Sequence, residues 1–363
     1  PPTTRRLTRR QRQMCIRDRL NTPPAWPQGQ HELLLFLSAG PSYHDVSPDD
    51  GPEDYELFLD ADVLYSYLNG RFRLLGEYIA ATDELELERF QLGWQSGQES
   101  IGWIGRFHSP SRYWNAIYHH GQFLQTSISR PFLEQFEDDG GVLPTHSTGL
   151  LFETAHKLED TADLRLAISA GAAPTIDNDE LKPFDLLDPG SSNRAAIDMR
   201  LAWLPDQLDE NQIGLNLIWS DLEVDGNHDA EQQGLRRVEQ ISVGVYLDWR
   251  RQAWRFLSSV APVINRMKRR AQNQTDSFLS GYFQAEYELK HDWTVFGRLE
   301  QTNNTGSSDY IGLFPHTVTD RQMLGLRFDL AREHALSLEV SRAETPADGD
   351  FEQYLLQWSA VFP

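Results

Sequence analysis

The sequence predicts an all-β chain, a transmembrane antiparallel β-barrel of about 16 strands. Three observations carry this reading: period-two hydrophobicity through most of the chain, connections that alternate between tight and mostly long, and tryptophans gathered at one end of the strands. The chain end shows the pattern most clearly. In Phe351–Pro363 the residues Tyr354, Leu356, Trp358, Ala360 and Phe362 share one face of a strand that runs almost to the last residue. Such an edge invites pairing with other chains in water. In a barrel the same face meets lipid, and the first strand closes the edge.

The alternation recurs upstream. Ala195, Ile197, Met199, Leu201 and Trp203 alternate with Asp198, Arg200 and Ala202, and Ile241, Val243, Val245, Leu247 and Trp249 with Ser242, Gly244, Tyr246 and Asp248. Phe283, Ala285, Tyr287 and Leu289 repeat the pattern, as do Leu324, Leu326, Phe328 and Leu330. Period two marks half-buried strands. The second face carries small, polar and charged groups, as the wall of a water-filled lumen does. No apolar run approaches the roughly 18 residues of a membrane helix. A mean hydropathy of −0.53 fits strands that are apolar only at every second position.

Strands are expected at roughly 32–43, 55–68, 71–82, 87–96, 100–107, 146–157, 162–171, 193–204, 212–222, 237–249, 252–263, 277–289, 293–302, 320–331, 334–343 and 351–362, each near the length of a tilted membrane strand. Tight connections include Asn69-Gly70, which suits a type I′ hairpin, Arg250-Arg251 and Arg332-Glu333. Long ones include Asp45–Asp54, His108–Thr145, Ala172–Ser192, Glu223–Arg236, Ile264–Asp276 and Asn303–Thr319. The short connection at Asp83-Glu84 interrupts the rule. Trp94, Trp203, Trp249, Trp254 and Trp293 lie within about three residues of tight turns, where an indole can sit at headgroup level.

Residues 1–19 are expected to be sequencing-adapter read-through, since Met14-Cys-Ile-Arg-Asp-Arg19 is what a transposon adapter encodes. The stretch holds seven arginines, one aspartate and the sole cysteine, Cys15. From Leu20 onward the net charge is therefore −27 instead of −21, and no thiol remains. Disulfides and thiolate metal sites are then excluded. Such acidity argues against a nucleic-acid partner. Residues 20–31 are expected to form an N-terminal periplasmic segment and 32–363 the barrel.

The longest connection, 108–145, holds the candidate site. It is too rich in aromatic and apolar residues (Tyr113, Trp114, Ile117, Tyr118, Phe123, Leu124, Phe132, Phe136) to remain solvated. It is expected to fold into the lumen and narrow it, with Phe123–Ser129 as an added wall strand the bland alternative. Gly105-Arg-Phe-His-Ser-Pro110-Ser-Arg-Tyr-Trp-Asn115 resembles the passage of bacterial outer-membrane porins into their inward-folded third loop: a Gly-Arg pair, a proline, then an aromatic-asparagine step. Arg112 stands where such porins often have glycine. The resemblance in architecture covers nearly the whole chain from about Glu32. It implies a bacterial outer-membrane, passive channel for small hydrophilic solutes, in contact with outer-membrane lipid and lipopolysaccharide, and a possible homotrimer.

On this reading the pore constriction would be formed by Arg106, Arg112, His119, His120, Arg130, Glu134, Glu137 and Asp138, because charges at a narrow point decide which ions pass. No catalytic residue, cofactor or metal centre is assigned. His108, His119, His120 and His146 with Glu137 or Asp138 could supply metal ligands, but His119 and His120 point apart on an extended chain. They are read as hydrogen-bonded loop histidines or pore lining. Parity places Asp60, Asp62, Glu77, Glu88, Glu153, Asp198, Asp248, Glu286, Glu288, Glu300, Asp329 and Glu339 inward against Arg73, Arg165, Arg200, Arg255, Arg298 and Arg327. Inward acids thus outnumber inward bases about two to one, so the wide lumen should weakly favour cations unless loop arginines dominate the narrow point. Polar side chains are expected to be tolerated at the inward positions Gly244, Gly325 and Leu355. No nucleophile elbow, P-loop, dinucleotide fingerprint or HExxH is present. A soluble all-β binding protein and an outer-membrane barrel enzyme such as a lipid hydrolase remain the alternatives.

Overall fold

In a computed structural model, the described residues are 29–363 apart from 46–53, 83–84, 119–121, 138–139, 159–160, 185–193, 207–210, 226–233, 291 and 348. The chain forms β1 (Gln30–Asp45), β2 (Asp54–Asn69), β3 (Phe72–Ala80), β4 (Leu85–Gln95), β5 (Ser100–His108), β6 (His146–Lys157) and β7 (Asp163–Ala172). A short hairpin follows, β8 (Thr175–Asp177) and β9 (Glu180–Lys182), then β10 (Ala195–Leu204), β11 (Gln212–Val224), β12 (Leu235–Arg251), β13 (Trp254–Arg269) and β14 (Gln274–Lys290). The wall ends with β15 (Trp293–Asn303), β16 (Asp320–Asp329), β17 (His334–Thr345) and β18 (Gly349–Phe362).

Leaving out the β8–β9 hairpin, each strand pairs antiparallel with its sequence neighbour, and β7 pairs directly with β10. The circle closes where β1 meets β18, with Leu35 opposite Phe362 and Asp45 opposite Glu352. This gives the sixteen-stranded closed barrel. Closure leaves no edge of unpaired backbone groups facing hydrocarbon.

Side-chain direction follows the parity read from the sequence. Val243, Val245, Phe283, Leu324, Tyr354 and Leu356 are exposed on the outer face, while Ser242, Gln284, Leu355 and Gln357 are buried within. Trp94, Trp203, Trp254 and Trp293 are exposed near tight turns. Trp293 stacks on Phe328 at 4.3 Å and Trp254 packs against Tyr287 at 4.6 Å, forming a band of rings suited to the headgroup level.

Four expectations need correction. The segments 264–276 and 223–236 were expected as long loops, yet β13 continues to Arg269 and β14 begins at Gln274, while β11 reaches Val224 and β12 begins at Leu235. The alternation continues there but inverts. Met267, Val238 and Leu235 point inward onto buried loops, and Arg266 and Lys268 project outward beside Glu239 at 3.4 and 3.8 Å. Beyond the lipid, the outside is wet and the inside is packed, so a search for outward apolar residues loses the strand.

Parity also fails in β4, where a register shift opposite Glu77 and Tyr78 marks a bulge. Both Glu88 and Arg89 are buried, so Arg89 joins the inner face that parity had given to Glu88 alone. The hairpin β8–β9 was not expected, and its strand β8 runs parallel to the end of β11. Finally, Gly325 was expected to tolerate a polar side chain, but the Phe296 ring lies over it, 2.1 Å from where a Cβ would stand.

Replacing Val245 or Leu356 with Arg should cost about 2–4 kcal/mol if near the midplane, since an unpaired cation would face hydrocarbon. Ser341→Thr, on the buried inner face, should be much milder. Heat-modifiable gel migration of refolded variants measures the difference, and equal tolerance at the two faces would contradict the lipid-facing assignment.

Candidate functional site

The segment between β5 and β6 lies inside the barrel. It opens with Ser109–Arg112, turns into the short helix α1 (Tyr113–Tyr118), and continues through single 3-10 turns at Gln122–Leu124 and Phe132–Glu134. Phe123–Ser129 is thus no wall strand. Tyr113, Trp114, Tyr118, Phe123 and Leu124 pack against Tyr246, Leu257 and Tyr282 of the wall and against Leu34, Ala335 and Val361 near the closure. Tyr113 stacks on Tyr246 at 4.4 Å. Farther along, Phe132, Leu133, Val142 and Leu143 join Ile176 and Leu181 of the β8–β9 hairpin with Tyr310, Ile311 and Phe314 of the loop before β16.

An irregular segment inside a barrel leaves backbone donors and acceptors that need partners. The wall supplies them with charged side chains. Glu339 accepts from the amides of Ile128 (2.9 Å) and Ser129 (3.2 Å) and from the Ser129 hydroxyl. Glu300 accepts from the Phe132 amide at 2.6 Å. Arg298 donates to the Ser129 carbonyl (3.0 Å), Arg321 to that of Arg130 (3.1 Å) and Arg327 to that of Gln125 (2.6 Å). Asp248 accepts from the Tyr113 hydroxyl at 2.6 Å and pairs with Arg255 at 2.7 Å.

Of the eight residues read as a constriction, five are described, and all five are held by partners within the buried structure. Arg106 pairs with Glu86 and donates to the Glu88 carbonyl at 3.1 Å. Arg112 donates to the Leu133 carbonyl at 2.7 Å. Arg130 donates to the Asn115 side-chain oxygen at 2.6 Å and lies over the Phe136 ring at 4.0 Å. Glu134 accepts from the Trp114 amide at 3.2 Å, and Glu137 from the amides of Thr145 (2.5 Å) and His146 (2.9 Å). His119, His120 and Asp138 lie outside the described residues.

The open space is elsewhere. A cavity of about 190 Å³ separates the loop from the wall of β2–β6. On the wall side it is lined by Arg73, Arg89, Gln91 and Glu153, with Arg200 of β10, and on the loop side by Pro110, Ala116 and Ile117. Parity had marked Arg73, Arg200 and Glu153 as inward. Arg89 was missed because the bulge reverses its side. Glu77 pairs with Arg89, and Arg73 donates to Gln95 at 3.2 Å.

Burial also loads the loop electrostatically. It lifts the Glu134 carboxyl from its ordinary 4.5 to about 7, although Arg112 and the Trp114 amide oppose the shift. The same desolvation lowers the Arg112 guanidinium.

No family model and no curated protein matches the sequence. The fold matches solved outer-membrane structures. An anion-selective porin from Comamonas acidovorans superposes with a TM-score of 0.63 over 92% of this chain and 100% of its own, at 11% identity. The outer-membrane channel DcaP of Acinetobacter baumannii gives 0.58 over 92% and 97%, at 10% identity, and Salmonella typhi OmpF gives 0.57 over 91% and 97%, at 11% identity. The architecture is that of the outer-membrane porins.

Because Glu134 binds its proton more tightly folded than unfolded, its contribution is unchanged below about pH 4.5. It then falls by up to about 3 kcal/mol as pH rises to about 7. Hydrogen exchange of the 113–136 amides, corrected for intrinsic rates, should show more protection at pH 5 than at pH 8. Glu134→Gln should flatten that difference. In the same assay Glu339→Ala should deprotect Ile128 and Ser129 first.

Proposed function

We propose that the chain is a passive outer-membrane channel of bacteria for small hydrophilic solutes, with the loop 109–145 as its constriction. The observation that carries the proposal is the cavity of about 190 Å³ with charged lining, left between that loop and the β2–β6 wall of a closed barrel whose outer face is apolar. Arg106, Arg112, Arg130, Glu134 and Glu137 act by holding the loop in place. Outer-membrane lipid and lipopolysaccharide surround the barrel. The trimer form of one fold neighbour, Vibrio cholerae OmpT, supports a homotrimer. Transport needs no chemical step, and phospholipid hydrolysis by the purified protein would instead support the enzyme reading.

Charge at the narrow point differs from charge in the lumen as a whole. Asp248, Glu300, Glu339 and Glu77 are each engaged by an arginine or by loop amides. Of the cavity's charges, Arg89 is balanced by Glu77, which leaves Arg73 and Arg200 against Glu153. Where the dielectric falls and charges crowd, this excess governs selectivity. The narrow point therefore favours small anions, most visibly at low salt.

Planar-bilayer recordings test both parts. Replacing residues 119–141 by a short Gly-Ser linker should raise single-channel conductance severalfold, since resistance concentrates at the least cross-section. Unchanged conductance in a correctly folded variant would remove the loop from the mechanism. Arg73→Ala with Arg200→Ala should move the reversal potential in a salt gradient toward cation preference, and no movement would place the selectivity elsewhere.

A further inference from the structure

Three side chains from adjacent strands meet at the root of the long loop. His108 ends β5 and His146 begins β6, and the two are direct cross-strand partners with ring centroids 5.0 Å apart. Neighbours in such a pair are close enough to share a ligand. Glu88 comes from β4. Phe90 pairs with Arg106, so Glu88, two residues before Phe90, falls beside His108, two residues after Arg106. The β4 bulge turns the Glu88 carboxylate inward to this row. Glu88 is 1% exposed, His108 6% and His146 4%.

We propose that Glu88, His108 and His146 form a binding site for a borderline divalent transition-metal ion of the Zn²⁺ class. The ligand atoms lie within 4.8 Å of one another. His146 Nε2 is 2.6 Å from the Glu88 carboxylate, and His108 Nε2 is 4.0 Å from the same carboxylate. Two atoms on a tetrahedral zinc at 2.0–2.2 Å stand about 3.3 Å apart. One gap has to widen and the other to narrow, each by less than about 1 Å, which rotamer adjustment supplies.

The surroundings point independently to a metal. The second nitrogen of His146, Nδ1, lies 2.8 Å from the Glu137 carboxylate. This carboxylate–histidine arrangement fixes the ring with Nε2 presented to an ion and raises its basicity. Glu137 is itself fixed by the Thr145 and His146 amides and the Thr145 hydroxyl. Glu88 and Glu137 together balance the two charges of the ion. Two imidazoles with one carboxylate suit zinc, nickel or copper better than magnesium or calcium, which prefer oxygen ligands. His108 also lines the 190 Å³ cavity, which gives the ion a path in and leaves a coordination position facing water. Bound there, the ion would tie the root of the loop to the β4 wall.

The test uses no ionic current, so its outcome is independent of the channel proposal. Full-length protein refolded in detergent is titrated calorimetrically with ZnCl₂ alone. Binding is expected that magnesium and calcium do not displace, together with a chelator-reversible rise in Tm. His108→Ala and Glu88→Gln should weaken it at least tenfold, and Glu137→Gln by about 10–100-fold. His316→Ala, in an exposed loop, should leave it unchanged. Zinc X-ray absorption on the wild-type protein should show two imidazole ligands, and this reading stands even where a variant fails to fold. A shell without imidazole, no zinc binding, or wild-type affinity in folded His108→Ala would overturn the proposal.

Discussion

The constraint on which the rest depends is that the backbone of residues 109–145 lies inside a barrel and must find hydrogen-bond partners there. A strand meets its neighbours automatically, but an irregular segment does not. The wall answers with ionised side chains, because a charge-assisted bond is stronger than a neutral one and a carboxylate can accept several amides at once. Glu339 takes two amides and a hydroxyl, while Arg298, Arg321 and Arg327 cover the carbonyls of the same stretch. Much of the lumen charge that looks selective in the sequence is thereby committed to holding the loop.

That commitment decides where open space is left inside the barrel. The loop leans on β12–β14 and on the closing strands through an apolar cluster that includes Trp114, Tyr246, Leu257 and Tyr282. Space remains on the opposite side, along β2–β6. Burying Glu134 raises its affinity for a proton, so the packing of the inward loop weakens as pH rises. The wall is held differently, by a closed ladder of backbone bonds that titrates at no pH.

The barrel was legible because its governing rule is local. Lipid outside and water inside impose period two on every strand, and the sequence around Val243–Trp249 or Leu324–Leu330 displays it without knowledge of partners. The rule fails where its premise fails. Above the lipid, Met267 and Val238 face packed loops, so the apolar side changes face and the ends of β12–β14 pass unnoticed. At Glu88 and Arg89 one extra residue shifts the phase, and nothing in composition marks a bulge whose cause is the fit to β3.

The site was less legible for the same reason. Its bonds link residues far apart in the chain, such as Tyr113 with Asp248 or Ile128 with Glu339. Charge and position identified the loop as the place to look, but they could not separate residues that hold it from residues that face the opening. Arg112 and Arg130 are committed to Leu133 and Asn115, whereas the cavity is bordered by Arg73, Arg89 and Arg200 from the wall. His146 shows the limit most clearly. In sequence it is one histidine after a long loop, and the candidate ligands offered beside it were Glu137 and Asp138. In the fold Glu137 grips the far side of its ring, and the group that meets the other nitrogen is Glu88, brought there by a bulge fifty-eight residues away.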